Sequence, residues 1–239
     1  MSTGRLAVAP ETRASKGRRQ VMTTAIIGVG HIGKALGENL VAGGERVVLA
    51  ARDPAHAAGV ADQLGLLADA ASVDDAIFQA DVVVLALRLD VIRELVPRYG
   101  EALEGKVVVD PSNPIGIDDA GNLYRTLPGA ESAASVVAGL LPAGAHYAKA
   151  FGTLPAPSLQ SAANRTPRRA VLFYATDEDQ AAAAVERLIR AAGFDPVKAG
   201  GVSDAARIEA GGDLSQGGGL QGRLLDANQA RAALAPAAA

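Results

Sequence analysis

The chain has 239 residues, a formal charge of −3, no cysteine, three histidines and only 3% aromatic residues. That length holds one α/β domain with an appended piece. The missing cysteine excludes disulfides, thiolate catalysis and cysteine-bound metal, and His31, His56 and His146 lack the spacing of a metal site, so no metal is expected. A slightly acidic chain so poor in rings has neither the basic patches nor the stacking platforms of a nucleic-acid surface. No stretch approaches the ~20 apolar residues of a membrane span, so a cytoplasmic protein is expected.

In chain order, residues 1–21 carry Arg5, Arg13, Lys16, Arg18 and Arg19 without a continuous apolar run. They do not form a secretory signal and are expected to be a disordered leader; translation from Met22 would begin where the fold begins. Ala25-Ile26-Ile27 is a short β-branched strand that runs into Gly28-Val29-Gly30-His31-Ile32-Gly33. In such a GxGxxG the first glycine permits the strand-to-helix turn, the second admits a pyrophosphate, and the third lets helix pack on strand. The helix start then offers free N–H groups and its positive dipole end to the anion. Amphipathic Lys34 to Ala42, a stop at Gly43-Gly44 and a second strand from Arg46 to Ala51 supply the context the motif needs.

After that second strand an NAD site places Asp or Glu, about 20 residues beyond the glycines, on the ribose hydroxyls. This chain has Arg52, whose donor fork suits the 2′-phosphate of NADP. The competing reading is a solvated Arg52 with the neighbouring Asp53 making an NAD-type contact. NADP is the expected cofactor.

Helices are expected from Pro54 to Leu64, Val73 to Gln79, Leu89 to Tyr99, Glu131 to Leu141, Glu178 to Ala192 and Leu224 to Leu234. Strands are expected at Leu66 to Ala68, Asp81 to Leu87, Lys106 to Asp110, His146 to Phe151, Ala170 to Ala175 and Pro196 to Ala199. Gly152 to Arg169 reads as a Pro-containing loop, Gly211 to Gly222 as a glycine-rich loop, and Pro236 onward as frayed. The alternation gives an α/β fold, a doubly wound Rossmann-type parallel sheet over 22–200 with a small C-terminal extension over 201–239. Leu87, Asp110 to Asn113 and Lys149 to Phe151 fall at carboxyl ends of strands, where such sheets bind ligands.

The GVGHIGKAL run, the strand leading to Arg52, Asp81-Val82-Val83-Val84-Leu85-Ala86, Asp110-Pro111-Ser112-Asn113-Pro114 and Ala148-Lys149-Ala150-Phe151-Gly152-Thr153-Leu154 together resemble the coenzyme F-420:NADP oxidoreductases, over roughly Thr24 to Arg207. In that family hydride passes directly between nicotinamide and deazaflavin ring, so proximity and orientation carry most of the rate. The resemblance implies that Val29 to Ile32 and Arg52 hold the pyrophosphate and 2′-phosphate, that Leu87 lines the adenosine or ribose side, and that Asn113 and Ala148 border the nicotinamide. Three positions depart from the pattern: Ala51 where a small hydroxyl residue is usual, Gly152 where Asn is usual, and Arg88 where proline is common.

The resulting expectation is hydride transfer between NADP(H) and a deazaflavin coenzyme of the F-420 type. One rival is reduction of an imine or carbonyl, with Lys149, Tyr147 or Tyr174 protonating the product; another is an NADP-sensing module without chemistry. No catalytic residue is assigned. Asn113 also reads as a turn residue between prolines, Lys149 as a snorkelling surface lysine, His31 as a pyrophosphate donor or a solvated residue, His56 as a surface residue, and His146 as packing at the sheet end. Gly211 to Gly222 is expected to be a flexible wall or lid, with Gln216 and Gln221 as polar contacts, or else a linker. The expected partner is a small-molecule substrate, and a homodimer is allowed.

Overall fold

Runs such as Thr24–Ile27, Val47–Ala50, Val82–Leu85 and Val107–Asp110 are buried at every residue, as parallel strands covered on both faces must be. The computed structural model describes residues 22–129 and 131–235, so the expected leader and the residues after 235 lie outside the described residues. The strands are β1 (Thr24–Ile27), β2 (Val47–Ala50), β3 (Ala68–Ala70), β4 (Val82–Leu85), β5 (Val107–Asp110), β6 (Ile115–Ile117), β7 (Leu123–Arg125), β8 (His146–Ala150), β9 (Val171–Ala175) and β10 (Asp195–Gly200). Eight of them form one sheet of order β10-β9-β8-β5-β4-β1-β2-β3, and β6 and β7 pair as a separate hairpin. Pairing is parallel throughout the sheet except between β8 and β9, where Lys149 faces Ala175 and Ala150 faces Tyr174 in antiparallel register. The order reverses at β1, between β4 and β2, which is the switch point where a doubly wound sheet opens its crevice.

The helices are α1 (His31–Ala42), α2 (Pro54–Leu64), α3 (Val73–Gln79), α4 (Leu89–Arg98), α5 (Gly100–Leu103), α6 (Ala133–Leu140), α7 (Ala156–Ala162), α8 (Asp179–Ala191) and α9 (Ala227–Leu234). Because side chains alternate across a strand, the sheet divides two cores. On one face Ile26, Val84 and Leu172 meet Leu36 and Leu40 of α1, Leu159 of α7 and Leu188 of α8. On the other, Ile27, Val83 and Phe173 meet Ile92 of α4, Val137 of α6 and Ile208 of the 3₁₀ turn Val202–Ile208. Val185, Leu188 and Ile189 of α8 are wholly buried, each contributing about 1.5–3 kcal/mol. Helix starts follow their caps. Asp53 accepts from the N–H groups of Ala55 (3.0 Å) and His56 (3.4 Å) ahead of Pro54 at the start of α2, and Asp226 forms a capping box with Gln229 at α9.

Two expectations need correction, and three features are new. β3 begins at Ala68, where the sequence suggested it would end, and Leu66 is left exposed. Residues 156–162, expected as loop, form α7, which buries Leu159 and Ala162 and receives the Asn39 side-chain N–H of α1 on the carbonyl of Leu159 at 2.9 Å. The hairpin β6–β7 and the 3₁₀ turn were not anticipated. The sheet is parallel as expected apart from the β8–β9 seam, whose antiparallel pairing was not anticipated either. Leu214, Leu220, Leu225 and Ala230, beyond residue 200, belong to the second core. Among the described residues no helix is long and apolar enough to cross a membrane.

Candidate active site

The three glycines after β1 do three different jobs. Gly28 has φ +100°, donates its N–H to the carbonyl of Ala50 at 2.7 Å, and has no room for a side chain, since a Cβ would lie 2.4 Å from the carbonyl oxygen of Ala86. Gly33 sits against the loop itself: its Cβ would be 1.9 Å from the carbonyl oxygen of Gly28. Gly30 is the opposite case, with extended backbone and nothing within 4 Å of where a Cβ would stand. It is the N-cap of α1, no side chain caps the helix there, and the first-turn N–H groups open onto the same space. A cradle that a Cβ would fill, at an uncapped helix start, fits a pyrophosphate. Val29 turns its side chain into the first core, His31 is exposed and Ile32 is half-buried.

The carboxyl end of β2 lies beside this loop. Asp53 is committed to capping α2, whereas Arg52 is exposed and makes no hydrogen bond or ion pair among the described residues. Of the two candidates for the ribose end, only Arg52 has its side chain uncommitted. His56 is exposed in the first turn of α2.

On the other side of the loop, at the carboxyl ends of β5 and β8, lies a cleft of about 780 Å³. Its walls come from Ile32, from Pro111 and Asn113 after β5, from Gly152 to Pro155 after β8, from the hairpin through Ile115, Leu123, Tyr124 and Arg125, and from Ala210 to Gly217. Ile32 also lines a smaller cleft of about 470 Å³ with His31, Lys34, Ala156, Pro157 and Gln160. Leu87, half-buried after β4, packs against the glycine loop, its Cδ2 lying 2.8 Å from a Gly28 Cβ position. Asn113 is more than a turn residue: its Nδ2 donates to the carbonyl of Gly152 at 3.0 Å and its Oδ1 accepts from the N–H of Ala210 at 2.7 Å. A side chain on Gly152 would lie 2.7 Å from the carbonyl oxygen of Pro111 and 3.2 Å from Asn113 Nδ2, so glycine here leaves the Asn113 clamp its room. Arg88, another of the three departures, is exposed, paired with Asp90 and absent from both cleft walls.

Ala148 does not border either cleft; it is wholly buried in the middle of β8, in the first core. Lys149 is corrected more sharply. It does not snorkel but is 1% exposed, with Nζ donating to Asp110 Oδ2 at 2.9 Å and to the carbonyl of Ser112, and lying 3.6 Å from Glu209 Oε1. Tyr147 donates its hydroxyl to the same Asp110 oxygen at 2.8 Å, and burial, reinforced by that carboxylate, pushes its phenol well above the ordinary range. Tyr174 donates to Glu186 Oε1 at 2.6 Å, and burial together with that bond raises its phenol too. His146 pairs with Glu178 at the opposite edge of the sheet.

The glycine-rich segment walls the large cleft as a series of hydrogen-bonded turns. Side chains at Gly212, Gly218 and Gly219 would lie 2.3, 2.3 and 2.5 Å from backbone oxygens, and the turns are tied by N–H bonds from Gly219 to Gly212 (3.0 Å) and from Gly222 to Gln216 (2.7 Å). At Gly212, Gly218 and Gly219 glycine answers crowding, whereas at Gly211 (φ +88°) and Gly222 (φ +82°) it answers a left-handed backbone. Gln216 is buried and donates within the segment, to the carbonyl of Gly222 at 3.0 Å, and Gln221 is exposed.

The hairpin is what sequence reasoning missed, although its signals are present. Ile115-Gly116-Ile117 and Leu123-Tyr124-Arg125 alternate, and Asp118 accepts from the N–H groups of Ala120 (3.0 Å) and Asn122 (2.7 Å) in the turn between them. The Tyr124 ring lies across Gly116, its Cζ 2.6 Å from where a Cβ would be.

Residues 23–114 match the family model described as "NADP oxidoreductase coenzyme F420-dependent". A hypothetical protein of Sinorhizobium meliloti, known from a crystal structure, is 35% identical, with 86% of this chain and 95% of that chain covered at a TM-score of 0.74. The chain belongs to one family with that protein. Over 23–114 this family member carries the NADP oxidoreductase domain. The rat metalloreductase STEAP3 is 30% identical over 192 residues, which is 80% of this chain but 36% of that protein, so the chain spans about a third of the curated relative. A protein of Arthrobacter sp. FB24 assigned as an F420-dependent NADP-reductase shares the fold, at 22% identity and a TM-score of 0.67 over 77% of this chain and 87% of that one.

Proposed function

We propose that the protein transfers a hydride between NADP(H) and a deazaflavin coenzyme of the F-420 type held in the 780 Å³ cleft. One observation carries the choice of second substrate. Lys149, Tyr147 and Tyr174, the proton donors expected from the sequence, are all buried and bonded to Asp110 or Glu186, and among the described residues the cleft wall contains no Asp, Glu, His or Lys and Tyr124 as its one phenol. Reduction of a ring whose nitrogen exchanges its proton with solvent asks for no such group. When bound, NADPH supplies the hydride. The glycine loop would hold its pyrophosphate and Arg52 its 2′-phosphate, while Leu87 and the clamped Asn113 fix the width of the crevice; positioning then supplies most of the acceleration.

Tyr124 supports a second reading. It is half-exposed on the hairpin and lines the cleft, so it could protonate an imine or carbonyl substrate. The deciding experiment follows NADPH oxidation by the purified protein with coenzyme F-420 and, separately, with a panel of cyclic imines and ketones. Turnover with F-420 that survives Tyr124→Phe is expected. Turnover confined to imines or ketones, and lost in Tyr124→Phe, would replace the deazaflavin assignment.

A further inference from the structure

Beneath the large cleft lies a group of buried charges that the proposed reaction leaves unused. Asp110, Lys149 and Glu209 are each no more than 1% exposed. They come from three separate segments, and each segment continues into a different wall of the cleft: Asp110 into Pro111 and Asn113, Lys149 into Gly152 and Thr153, Glu209 into Ala210 and Gly211. One cation faces two carboxylates, and the surplus negative charge is met by backbone N–H groups and by the Tyr147 hydroxyl on Asp110. Glu209 receives the N–H groups of Ala133 (3.1 Å) and Ala134 (2.9 Å) at the start of α6, and Asp110 receives that of Ser112 at 2.7 Å. A carboxylate at a helix N-terminus is favoured by the dipole as well as by the bonds. Glu209 is thus seated as a bound anion would be, between an ammonium and a helix start. At the cleft surface the same three segments are joined again, by the Asn113 side chain and by the Gln216 N–H donating to the carbonyl of Thr153 at 3.1 Å.

We propose that Glu209 is a positioning residue for the second substrate. Docked between Lys149 and the start of α6, it fixes the wall formed by residues 210–217 against the Asn113 clamp, and so sets how the second substrate is held without taking part in NADPH binding. This rests on reading the cleft as the second-substrate site. The nucleotide cradle lies on other strands, β1 and β2, and none of the residues in the buried group lines the smaller cleft beside it.

The test is Glu209→Gln, which keeps an acceptor for the helix N–H groups and leaves Lys149 and Asp110 as a one-to-one pair. Hydrogen exchange, read residue by residue, is expected to quicken about tenfold or more at the bonded amides of Leu214, Gln216, Gly219 and Gly222, with β1 and β4 unchanged. The NADPH dissociation constant, from fluorescence titration, stays within about twofold, while KM for coenzyme F-420 rises about tenfold and kcat changes less. Faster exchange throughout the sheet, unchanged exchange in 209–222, or NADPH affinity falling together with that of the second substrate overturns the proposal. If the wild-type protein does not turn over F-420, the proposed reaction fails by itself, and the exchange pattern with the NADPH titration still decides the role of Glu209. Should Glu209→Gln fail to fold, Glu209→Asp, which keeps the charge but draws it back by one methylene, carries the same expectations at smaller size.

Discussion

From the end of β1 into the first turn of α1 the chain places three glycines, of which one, Gly30, faces open space, whereas between residues 211 and 222 Gly212, Gly218 and Gly219 all face backbone within 2.5 Å. Both stretches read alike in composition, but their demands differ. In the first, glycine makes an opening at a helix start that an anion can enter; in the second, it lets the chain coil upon itself into a wall. A glycine count therefore says little about mobility. What distinguishes a binding loop from a folded wall is the direction in which the missing side chain would have pointed.

Alanine substitution separates the two cases. Gly33→Ala is expected to be the most damaging, because its Cβ would meet the Gly28 carbonyl at 1.9 Å, with backbone on both sides of the clash. A cost of about 3 kcal/mol corresponds to a fall in Tm of roughly 6–12 °C for a chain of this size, and NADPH binding should be lost with it. Gly212→Ala, at 2.3 Å from the carbonyl of Arg207, is expected to lower Tm by roughly 2–8 °C while the folded protein keeps its NADPH affinity. Wild-type melting for Gly212→Ala would dissolve the contrast.

Arg52→Ala removes a charge-assisted partner worth about 1.5–3 kcal/mol, so the NADPH dissociation constant should rise roughly ten- to a hundredfold with NADH little changed. Equal losses for both cofactors would take the 2′-phosphate away from Arg52. Gly30→Ala has no contact to offend and is expected to melt as wild type yet bind NADPH several-fold more weakly; a lowered Tm would mean that the space before α1 is not open.

The smallest expected effect lies just past the coiled segment. The Asp226 carboxyl is held below its usual range by N–H bonds from Gln229 and Asn228 and by Arg168. A depressed carboxylate stabilises the fold above its ordinary value and loses that contribution as pH falls through the depressed one. Asp226→Asn should therefore melt slightly below wild type at neutral pH, with the gap closing as pH drops below about 4. A gap independent of pH would assign the effect to the hydrogen bonds alone.

The β1–glycine loop–α1 unit was legible because its signals are local. Gly28, Gly30 and Gly33 lie within one turn of chain, Arg52 follows a recognisable strand, and Asp53-Pro54 announces a helix. Lys149 was misread for the opposite reason: nothing within ten residues reveals that Asp110 and Glu209 await it, and an isolated lysine in a strand reads as surface. The α7 turn hid behind Pro155 and Pro157 because what stabilises it is Leu159 buried against a distant helix. The hairpin, with its exposed Ile117 and Leu123, offered alternation too short to outweigh the surrounding prolines.

The antiparallel seam has a consequence in time. Because β9 runs against β8, the strands that follow end at the far edge, and the chain must travel back through the 3₁₀ turn before Glu209 arrives; the bond from Ala210 to Asn113 spans 97 residues of sequence. A nascent chain has made every strand around the glycine loop by Asp110, long before that bond can close. The large cleft is thus walled well after the strands beside the glycine loop are complete, with α9 still to follow. A chain stalled or clipped before Glu209 would carry β1 to β5 complete beside an unwalled cleft.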